Sequence, residues 1–353
     1  MPNANPSPPK FRIATYNIEW FTNLFGRKDM LLDDNEWSSR YQVTRHQQLR
    51  AIADVLRTID ADAILITEAP DTGGDRNSVR ALQNFADAFG LRLSHALSGF
   101  ESHTRQEITL LYDPDIVEVR HDPIGERSDG RTAAHAPRFD SSFRYDLWVN
   151  GQPHIHTFSK PPLEVALLHK PSGTNIRLIG VHTKSKAVHG NMNDDARRKI
   201  AVSNRSKQIA QCVWIRRRVE DHLKAGDSVI VLGDFNDGPR RDALEKIFNK
   251  SSVEVVLGDP FEPETHLDDP HARLRLDPLQ GWALSSARFY HAGLKWYVNT
   301  LLDYVMLSPD LGDRAGWRIY HPFDDPDCFK NEPLKEALLT ASDHFPVCVD
   351  LDI

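Results

Sequence analysis

Four short apolar segments, each ending in a polar residue, constrain the fold of this chain most strongly. The segments are FRIATYN, AILITE, LIGVH and VIVLGD, and they end at Asn17, Glu68, His182 and Asp234. Runs of this length and composition are typical of strands buried inside a sheet. Because ligands of α/β sheets bind at the carboxyl ends of the strands, we expect these four side chains to lie close together.

Helical periodicity between the apolar segments predicts an α/β protein. Apolar residues recur at helical spacing between positions 38 and 59, which indicates an amphipathic helix. A second helix is predicted over residues 77–89, where Gly90 follows it in a position that favours a helix end. A long polar helix is predicted over residues 195–223, and a short one over residues 242–248.

The domain organisation follows from composition along the chain. The first ten residues are rich in Pro, Asn and Ser and are predicted to form a disordered leader. No linker composition divides residues 11–353, which favours a single domain. The weakly patterned stretches 122–162 and 259–292 are predicted to be long surface loops, a kind of segment that commonly serves as a lid or binding loop.

Charge and cysteine content limit the functional classes. The chain has 43 Lys and Arg against 50 Asp and Glu, a net charge of −7, which argues against a protein that coats nucleic acid but not against a nuclease. No apolar run approaches the roughly 20 residues of a membrane-spanning helix. The three cysteines are widely scattered, which predicts buried free thiols and a cytoplasmic protein.

The segment GDFND contains the sharpest candidate pair. Gly233 allows the chain to turn directly after a strand, so that Asp234 and Asn236 project in the same direction. An aspartate there can orient a water molecule, and an asparagine can donate to a phosphate oxygen. Asp237 and Gly238 are interpreted as ordinary turn residues.

The segment SDHFPV places Asp343 beside His344. Neighbouring residues on an extended segment point to opposite sides, so these two are not expected to pair with each other. Asp303 interrupts the apolar strand LLDYVML, and a buried aspartate needs a partner. An Asp303–His344 dyad would satisfy that requirement and would fix the imidazole tautomer.

Oxygen donors at the strand ends suggest a metal site. Asn17, Glu68 and Asp343 supply an amide and two carboxylate oxygens, which suit Mg²⁺ and also Mn²⁺. Taken singly, each of these residues is more often a cap, a turn residue or a solvated side chain.

Several further side chains are candidates for contacts with substrate. His182 begins HTKSK, where it could bind a phosphate or protonate a leaving group, with Lys184 at the rim of the site. Tyr290 and Trp296 are candidates for stacking on a base, although packing against a loop is the more common role. The basic clusters of the long helix could form a phosphate track, but a solvated helix face is the more common outcome.

The order of TYNIEWF, ITE, VHTKSK, GDFND, LDYVMLS and SDHFPV resembles the endonuclease/exonuclease/phosphatase family from residue 11 to near residue 350. The resemblance implies a four-layer α/β/β/α sandwich of two packed mixed sheets flanked by helices. It places metal-binding roles on Asn17, Glu68 and Asp343. The catalytic positions that it implies are His182, Asp234, Asn236, Asp303 and His344.

Two features of the sequence narrow the branches of the family that the chain is expected to resemble. Ala-Pro follows Glu68, which disfavours the abasic-site repair branch of the family. His182 resembles a histidine of the pancreatic-deoxyribonuclease-like and sphingomyelinase-like branches. In the former branch an acid partners that histidine, and here Gln106 or Glu107 lies near the corresponding position.

Together these features predict Mg²⁺-dependent hydrolysis of phosphodiesters, with DNA or RNA as the substrate and without a protein partner. Lys184, Tyr290 and Trp296 are the predicted substrate-binding residues. The alternative is a phosphoesterase that acts on a lipid head group, an inositol phosphate or another small phosphodiester. A non-catalytic binding module would be expected to lack at least one motif residue, and all are present.

Overall fold

The computed structural model describes residues 10–132, 135–146, 154–188, 190, 192–238, 250–276, 284–291 and 295–353. The helix predicted over residues 242–248 lies outside these ranges, as do the first nine residues of the predicted leader. Lys10, the last residue assigned to the leader, is already part of the first strand.

In chain order the strands are β1 (Lys10–Asn17), β2 (Ala63–Ala69), β3 (His95–Ser98), β4 (Glu107–Tyr112), β5 (Val117–His121), β6 (Phe143–Arg144), β7 (Ile155–His156), β8 (Leu163–His169), β9 (Thr174–His182), β10 (Ser228–Asp234), β11 (Ala287–His291), β12 (Trp296–Thr300), β13 (Asp303–Leu307), β14 (Ala315–Ile319) and β15 (Val347–Asp352). The α-helices are α1 (Arg45–Ile59), α2 (Ser78–Phe89), α3 (Asp194–Lys224), α4 (Ser252–Leu257), α5 (Pro270–Leu276), α6 (Pro309–Gly312), α7 (Pro326–Lys330) and α8 (Glu332–Ala341). Two short 3₁₀ helices, Phe21–Leu24 and Arg27–Asp29, follow β1.

Two mixed sheets form the centre of the molecule. One has the strand order β14-β15-β1-β2-β4-β3, and the other has the order β13-β10-β9-β8-β5. Within each sheet one central pair is parallel, β1 with β2 and β9 with β10, and the remaining pairs are antiparallel. The carboxyl ends of these four parallel strands carry the polar residues that the sequence singled out.

The sheets pack face to face through buried aliphatic side chains. Gly180 on β9 shows how closely they approach, because a Cβ atom at this position would lie 2.5 Å from a methyl carbon of Leu65 on β2. Sheet strands buried on both faces explain the nearly continuous apolar runs of the sequence. The predicted four-layer sandwich is therefore confirmed.

The helices cover the outer faces of the two sheets. Helix α1 begins after a capping box made by Thr44 and Gln47, and it packs against α8 beside the first sheet. Helix α2 begins at the predicted position, with Asn77 as its cap, and ends at Gly90 with φ 60°. Helix α3 covers the second sheet and matches the predicted long helix to within one residue at each end.

The two stretches predicted to be surface loops contain regular structure. The hairpin of β6 and β7 lies in the first stretch, and helix α5 and strand β11 lie in the second. These elements are short, and their polar residues obscure the periodicity by which longer elements are recognised. Cys212, Cys328 and Cys348 are buried free thiols, as predicted.

Candidate active site

The residues predicted to be catalytic or metal-binding meet at one end of the paired sheets. Asp234 is aligned with His182 on the parallel neighbour β9 and with Asp303 on the antiparallel neighbour β13. Because β13 runs in the opposite direction, its first residue reaches the same end as the last residue of β10. Asn17 ends β1 in the facing sheet, and its amide nitrogen donates to Asp234 Oδ2 at 3.0 Å.

Glu68 reaches the site through an irregularity in β2. The pairing of β2 with β4 shifts register between Thr67 and Ala69, so Glu68 is an extra residue. Its φ of 57° is a left-handed conformation that costs energy for a residue with a side chain. The bulge places the Glu68 carboxylate in the cleft that Asp343 and His344 also line.

His344 and Asp303 form the predicted dyad. Nδ1 of His344 lies 2.7 Å from Asp303 Oδ2, and both side chains are buried. Ser286, which the sequence did not single out, donates to the same carboxylate oxygen at 2.7 Å. Ser286 Oγ also accepts from the backbone N–H of Asp303 at 2.9 Å, so that it fixes the carboxylate relative to its own strand.

The surroundings of His344 favour its charged form. Burial alone would lower the pKa of this imidazole, but Asp303, followed by Asp234 and Asp343, outweighs burial and raises the pKa well above its usual value. With Nδ1–H directed at Asp303, the other ring nitrogen also carries a proton. The side chain therefore presents a positively charged donor to the cleft.

Asp234 is held by three hydrogen bonds. Besides the Asn17 amide, the backbone N–H of Asn236 donates to Oδ1 at 2.7 Å, and the Asn236 side chain donates to Oδ2 at 3.2 Å. Burial raises the pKa of Asp234 to about 7, and the nearby charge of Asp303 adds to the shift. An acid with this pKa can exchange a proton with water near neutral pH.

His182 is buried beside Asp234 and a lysine. Its Nε2 lies 3.5 Å from Asp234 Oδ2 and 3.3 Å from Lys160 Nζ. Burial lowers the pKa of His182 well below its usual value, and the charge of Lys160 lowers it further. The imidazole is therefore neutral, which suits hydrogen bonding better than the donation of a proton.

Lys160 is a site residue that the sequence did not reveal. It lies in the first of the two weakly patterned stretches, where no strand end or motif marks it. Burial lowers the pKa of its ammonium group, whereas Glu68 and Asp234 act in the opposite direction. Lys160 therefore brings a positive charge between the carboxylates of the two sheets.

The acid expected to partner His182 from the RQEITLLY segment is not found beside it in the described part of the chain. Glu107 is buried, but its carboxylate accepts from the backbone N–H groups of Ser102 and Thr72. Burial raises its pKa to about 7. Gln106 lines the cleft instead. Glu107 thus stabilises two loops, and this site departs from the Asp- or Glu-paired histidine of the deoxyribonuclease-like branch.

A set of oxygen donors suits a divalent cation. Asn17 is 2% exposed, and its Oδ1 has no hydrogen-bond partner among the described residues, because its Nδ2 is the atom engaged with Asp234. Glu68 and Asp343 line the same cleft, where Asp343 adds to the burial that raises the pKa of Glu68. A buried amide oxygen without a partner among the described residues, in a site whose cleft carries two mutually repelling carboxylates, fits a hard cation.

Glu19 is a third carboxylate of this set and was missed in the sequence. Burial raises its pKa to about 7, with a further contribution from the charge of Asp343. Its carboxylate is paired with Arg40, whose guanidinium also donates to the Leu339 carbonyl. In the sequence, Glu19 follows Asn17 by two residues in TYNIEWF, but an acidic residue at that spacing does not by itself indicate a metal site.

A second group could also hold a metal. Asp234, Asp303 and His344 offer ligand atoms that all lie within 4.8 Å of one another. However, Asp303 Oδ2 and His344 Nδ1 already share a hydrogen bond, and Asp234 accepts three. The set of Asn17, Glu68 and Asp343, with an orphaned oxygen and with carboxylates that repel each other, fits the cation better.

The hairpin of β11 and β12 forms one wall of the cleft. Its backbone is tied to the dyad segment, because the Arg288 N–H donates to the Asp343 carbonyl at 2.7 Å and the Phe345 N–H donates to the Ser286 carbonyl at 2.6 Å. The cleft has a volume of ≈ 500 Å³, and Phe289 and Val298 of the hairpin line it. The hairpin is thus positioned to contact whatever the cleft binds.

The two predicted stacking residues lie on opposite faces of this hairpin. Tyr290 is paired with Tyr297, and their rings are 5.6 Å apart on the face where Arg288 stacks at 3.8 Å on Tyr297. Trp296 belongs to the alternate register and shares the face of Phe289. The Trp296 side chain is 62% exposed, so it is able to stack on a base at the cleft. Tyr290 lies on the opposite face of the hairpin, which is not directed at the cleft.

The lysines of HTKSK occupy different surroundings. Lys184 is half-buried, and its backbone N–H donates to Gln211 Oε1 at 2.9 Å. Lys186 lies 2.7 Å from Asp237 Oδ1. Asp237, which was interpreted as a turn residue, is in fact fully buried and also pairs with Arg205 at 2.6 Å. The interpretation was wrong because a polar turn sequence gives no indication of a distant cation.

The basic clusters of the long helix are only partly solvated. Arg205, Arg216 and Arg218 are buried and paired with Asp237, Glu220 and Glu164. These three side chains serve neither as a phosphate track nor as a solvated face. Across the described residues, moreover, no helix combines the length and the apolar character needed to cross a membrane.

Comparisons with known proteins agree with this geometry. A family model described as "Endonuclease/Exonuclease/phosphatase family" matches residues 14–344. A search of curated proteins finds no match. Among solved structures, TDP2 from C. elegans is 13% identical with a TM-score of 0.53, covering 98% of this chain and 76% of that one.

Two further solved structures are similar. A truncated TDP2 from Caenorhabditis elegans is 14% identical with a TM-score of 0.51, covering 97% of both chains. A mannosyl-6-phosphatase from Bacteroides thetaiotaomicron is 14% identical with a TM-score of 0.47, covering 97% of this chain and 99% of that one. The two TDP2 structures, with TM-scores above 0.5, support the fold, and their low sequence identities leave the substrate open. On the extent of the family match, the chain belongs to the endonuclease/exonuclease/phosphatase family and is a metal-dependent phosphoesterase.

Proposed function

We propose that this chain hydrolyses phosphodiester bonds of nucleic acid with the help of Mg²⁺. The observation that carries the proposal is the Asp303–His344 dyad, which opens into a cleft shared by Glu68, Asp343 and an aromatic hairpin. Hydrolysis of a phosphate ester explains why the dyad and the carboxylates of Glu68 and Asp343 share one cleft. A polymeric substrate explains why an aromatic hairpin forms a wall of that cleft. Mn²⁺, which accepts the same oxygen ligands, is expected to replace Mg²⁺.

Asn17, Glu68 and Asp343 are the residues that would hold the cation. Bound there, a divalent cation polarises the scissile phosphate and offsets the negative charge that develops on its oxygens. The buried Asn17 Oδ1, which is without a partner among the described residues, supports this assignment. The hydrogen bond from Asn17 Nδ2 to Asp234 also fixes which atom of the amide faces the cation site.

Asp234 and the Asp303–His344 dyad are the two groups that can take a proton from the attacking water, because their side-chain atoms lie together at the end of the sheets. His344 then stabilises a non-bridging phosphate oxygen. Asn236 orients Asp234, because its side-chain amide donates to Asp234 Oδ2 at 3.2 Å and to the Thr183 carbonyl at 3.1 Å. His182 and the neighbouring Lys160 bind the phosphate group and orient it for attack.

Nucleic acid is favoured over a small ester by the surroundings of the cleft. The cleft is open, and the exposed indole of Trp296 lies on its face of the hairpin, where a base can stack. Lys160 and Lys184 add positive charge near the phosphate position, although the chain as a whole carries a net charge of −7. Such local charge concentrates a polyanion at the site.

Cleavage assays with matched substrates test the proposal. Supercoiled plasmid, single-stranded RNA, bis(p-nitrophenyl) phosphate and sphingomyelin vesicles would each be incubated with Mg²⁺ or with EDTA. We expect Mg²⁺-dependent cleavage of a nucleic acid, with a rate that falls at least about 100-fold in His344→Ala. Turnover of sphingomyelin or the small diester without cleavage of either nucleic acid would contradict the proposed substrate class.

His95→Ala is the matched control for that variant. His95 is exposed and lies opposite Tyr112, at the end of the first sheet remote from Glu68. The same substitution there is expected to leave every rate unchanged. A loss of activity of similar size in both variants would show that the effect of His344→Ala does not arise from the dyad.

A further inference from the structure

A basic groove lies outside the cleft, between β7 and the amino-terminal half of α3. Its volume is ≈ 780 Å³. We define the basic groove by Arg198, Lys199, Ser203, Ser206 and Lys207 of the helix together with His156 of the strand. Asp195 also lines it, so among these side chains the cations outnumber the acid by three to one.

The basic groove begins where the active-site loops end. The Gln208 amide donates to the carbonyls of Phe235 and Asn236, at 3.0 and 3.1 Å. One turn later, Gln211 Oε1 accepts from the Lys184 backbone at 2.9 Å. This part of α3 therefore rests directly on the loops that carry site residues. Lys207 is the adjacent residue, and the groove extends from it toward the start of the helix.

Gln211 of α3 connects the groove to the active-site loops. Its side chain accepts from the Lys184 backbone N–H at 2.9 Å and donates to the Thr157 carbonyl at 3.2 Å. Thr157 follows His156, which lines the groove, and Lys184 follows the site residue His182 by two positions. The groove and the cleft are therefore held together by the same helix side chain.

The dimensions of the groove suit a sugar–phosphate chain. Lys199 and Lys207 lie on one helix face eight residues apart, which corresponds to about 12 Å along the axis. That length accommodates about two successive phosphates of an extended strand, because phosphates along a backbone lie further apart than the ~3.4 Å axial rise of a duplex. Between the two lysines, the Ser203 and Ser206 hydroxyls can donate to phosphate oxygens.

The strand side of the groove carries an unsatisfied polar atom. His156 is buried, and its Nε2 lacks a hydrogen-bond partner within the described ranges of the chain. The neighbouring Ile155 is 54% exposed and offers an apolar contact for a sugar or a base. A buried polar atom without a partner costs free energy that a bound ligand can offset.

We propose that the basic groove binds the sugar–phosphate chain of the substrate on one side of the scissile bond. This inference rests on the proposed function, because it assumes that the substrate is a nucleic acid. The groove then serves as a second binding site that holds a long strand in register with the dyad. A substrate too short to reach α3 gains nothing from it.

Oligonucleotide binding without turnover tests the groove directly. A fluorescently labelled single-stranded DNA of about 20 nucleotides would be titrated in EDTA with wild type, Arg198→Glu and Arg197→Glu, and anisotropy would be measured. Arg198 lines the groove, whereas Arg197 is its exposed neighbour on the helix and does not line it. The two variants carry the same change of charge, and glutamate is compatible with an exposed helix position.

We expect Arg198→Glu to raise the Kd at least about threefold. The slope of log Kd against log salt concentration should also fall, by about 0.7 for each phosphate that the variant no longer neutralises. Arg197→Glu should stay close to wild type. Equal effects of the two substitutions, or no effect of either, would overturn the groove proposal. An absence of oligonucleotide binding by the wild type would overturn it as well.

Cleavage of substrates of different length separates the groove from the proposed function. Arg198→Glu should raise KM for long strands with kcat unchanged, and it should leave turnover of bis(p-nitrophenyl) phosphate as in wild type. Binding that depends on Arg198 without any cleavage would refute the nuclease proposal and retain the groove. If Arg198→Glu and Arg197→Glu cleave strands of every length equally efficiently, the nuclease proposal is retained and the groove proposal is refuted.

Discussion

Replacing Asp303 by asparagine should remove activity while preserving the fold. Asp303 Oδ2 accepts both the His344 bond at 2.7 Å and the Ser286 bond at 2.7 Å, whereas Oδ1 has no partner among the residues described. An asparagine can place its oxygen at the Oδ2 position, where it retains both bonds, and its amide nitrogen at the other. The substitution therefore changes the charge beside His344 more than it changes the geometry.

The size of the effect follows from that charge. Asp303 is the main factor opposing burial and keeping His344 protonated, so its removal lowers the pKa of the imidazole. A histidine that loses its role in acid–base or electrostatic catalysis costs about 10²–10⁴ in rate. This reduction corresponds to about 3–5 kcal/mol of transition-state stabilisation. We expect a decrease of kcat/KM in that range.

The assay compares this variant with Asp269→Asn. Asp269 is also buried, and its two oxygens accept from the backbone N–H groups of Ala272 and Val305 at 3.0 and 3.2 Å. Its replacement should lower thermal stability but leave kcat/KM within about twofold, because Asp269 does not line the cleft. Initial rates at saturating Mg²⁺ and circular dichroism would be recorded for both. Activity of Asp303→Asn within tenfold of wild type would refute the dyad.

Two further predictions concern substrate contact and stability. Trp296→Ala should raise KM for single-stranded nucleic acid by roughly five- to 100-fold, since stacking contributes about 1–3 kcal/mol per base, while Tyr290→Ala on the opposite face should change it less. A larger increase of KM in Tyr290→Ala than in Trp296→Ala, measured from initial rates, would place the stacking face on the other side of the hairpin. Asp237→Ala should destabilise the protein by about 3–5 kcal/mol in denaturant unfolding, because it removes a buried carboxylate that pairs with both Arg205 and Lys186. The exposed Asp54→Ala should cost at most about 0.5 kcal/mol. Lys186 and Arg205 outweigh burial and lower the pKa of Asp237 in the folded protein. The contribution of the Asp237 carboxylate to the free energy of unfolding is therefore fully present above the unfolded-state pKa of about 3.9, and it is lost as the pH falls through the lower pKa of the folded state. A difference in stability between wild type and Asp237→Ala that stays constant down to pH 2 would contradict that shift.

The sequence predicts the centre of the fold because local pattern and tertiary position agree there. The apolar runs ending at Asn17, His182 and Asp234 are strands buried on both faces, and they end where the polar side chains meet. The Asp303–His344 pair was also predictable, since an aspartate inside an apolar strand requires a partner. Signals of this kind are carried by a few adjacent residues.

Other parts of the site depend on contacts that leave no local pattern. Lys160 and Ser286 lie in weakly patterned stretches and reach the site only through the packing of strands distant in sequence. Asp237 has the sequence context of a turn, yet Arg205 from a helix buries and neutralises it. The faces of the aromatic hairpin depend on register, which sequence composition does not specify.

Cation binding to wild type and two glutamine variants tests the central claim, that Asn17, Glu68 and Asp343 form the metal site of this phosphoesterase. Glu68→Gln removes a proposed ligand, and Glu107→Gln makes the same change at a buried glutamate that contacts loop backbone instead. The measurement is a calorimetric titration with Mn²⁺, with Mg²⁺-dependent cleavage recorded on the same samples. We predict that Glu68→Gln weakens binding at least about tenfold and reduces cleavage, while Glu107→Gln retains both. Unchanged Mn²⁺ affinity in Glu68→Gln would contradict the account and would place the cation elsewhere, with Asp234, Asp303 and His344 as the alternative ligands.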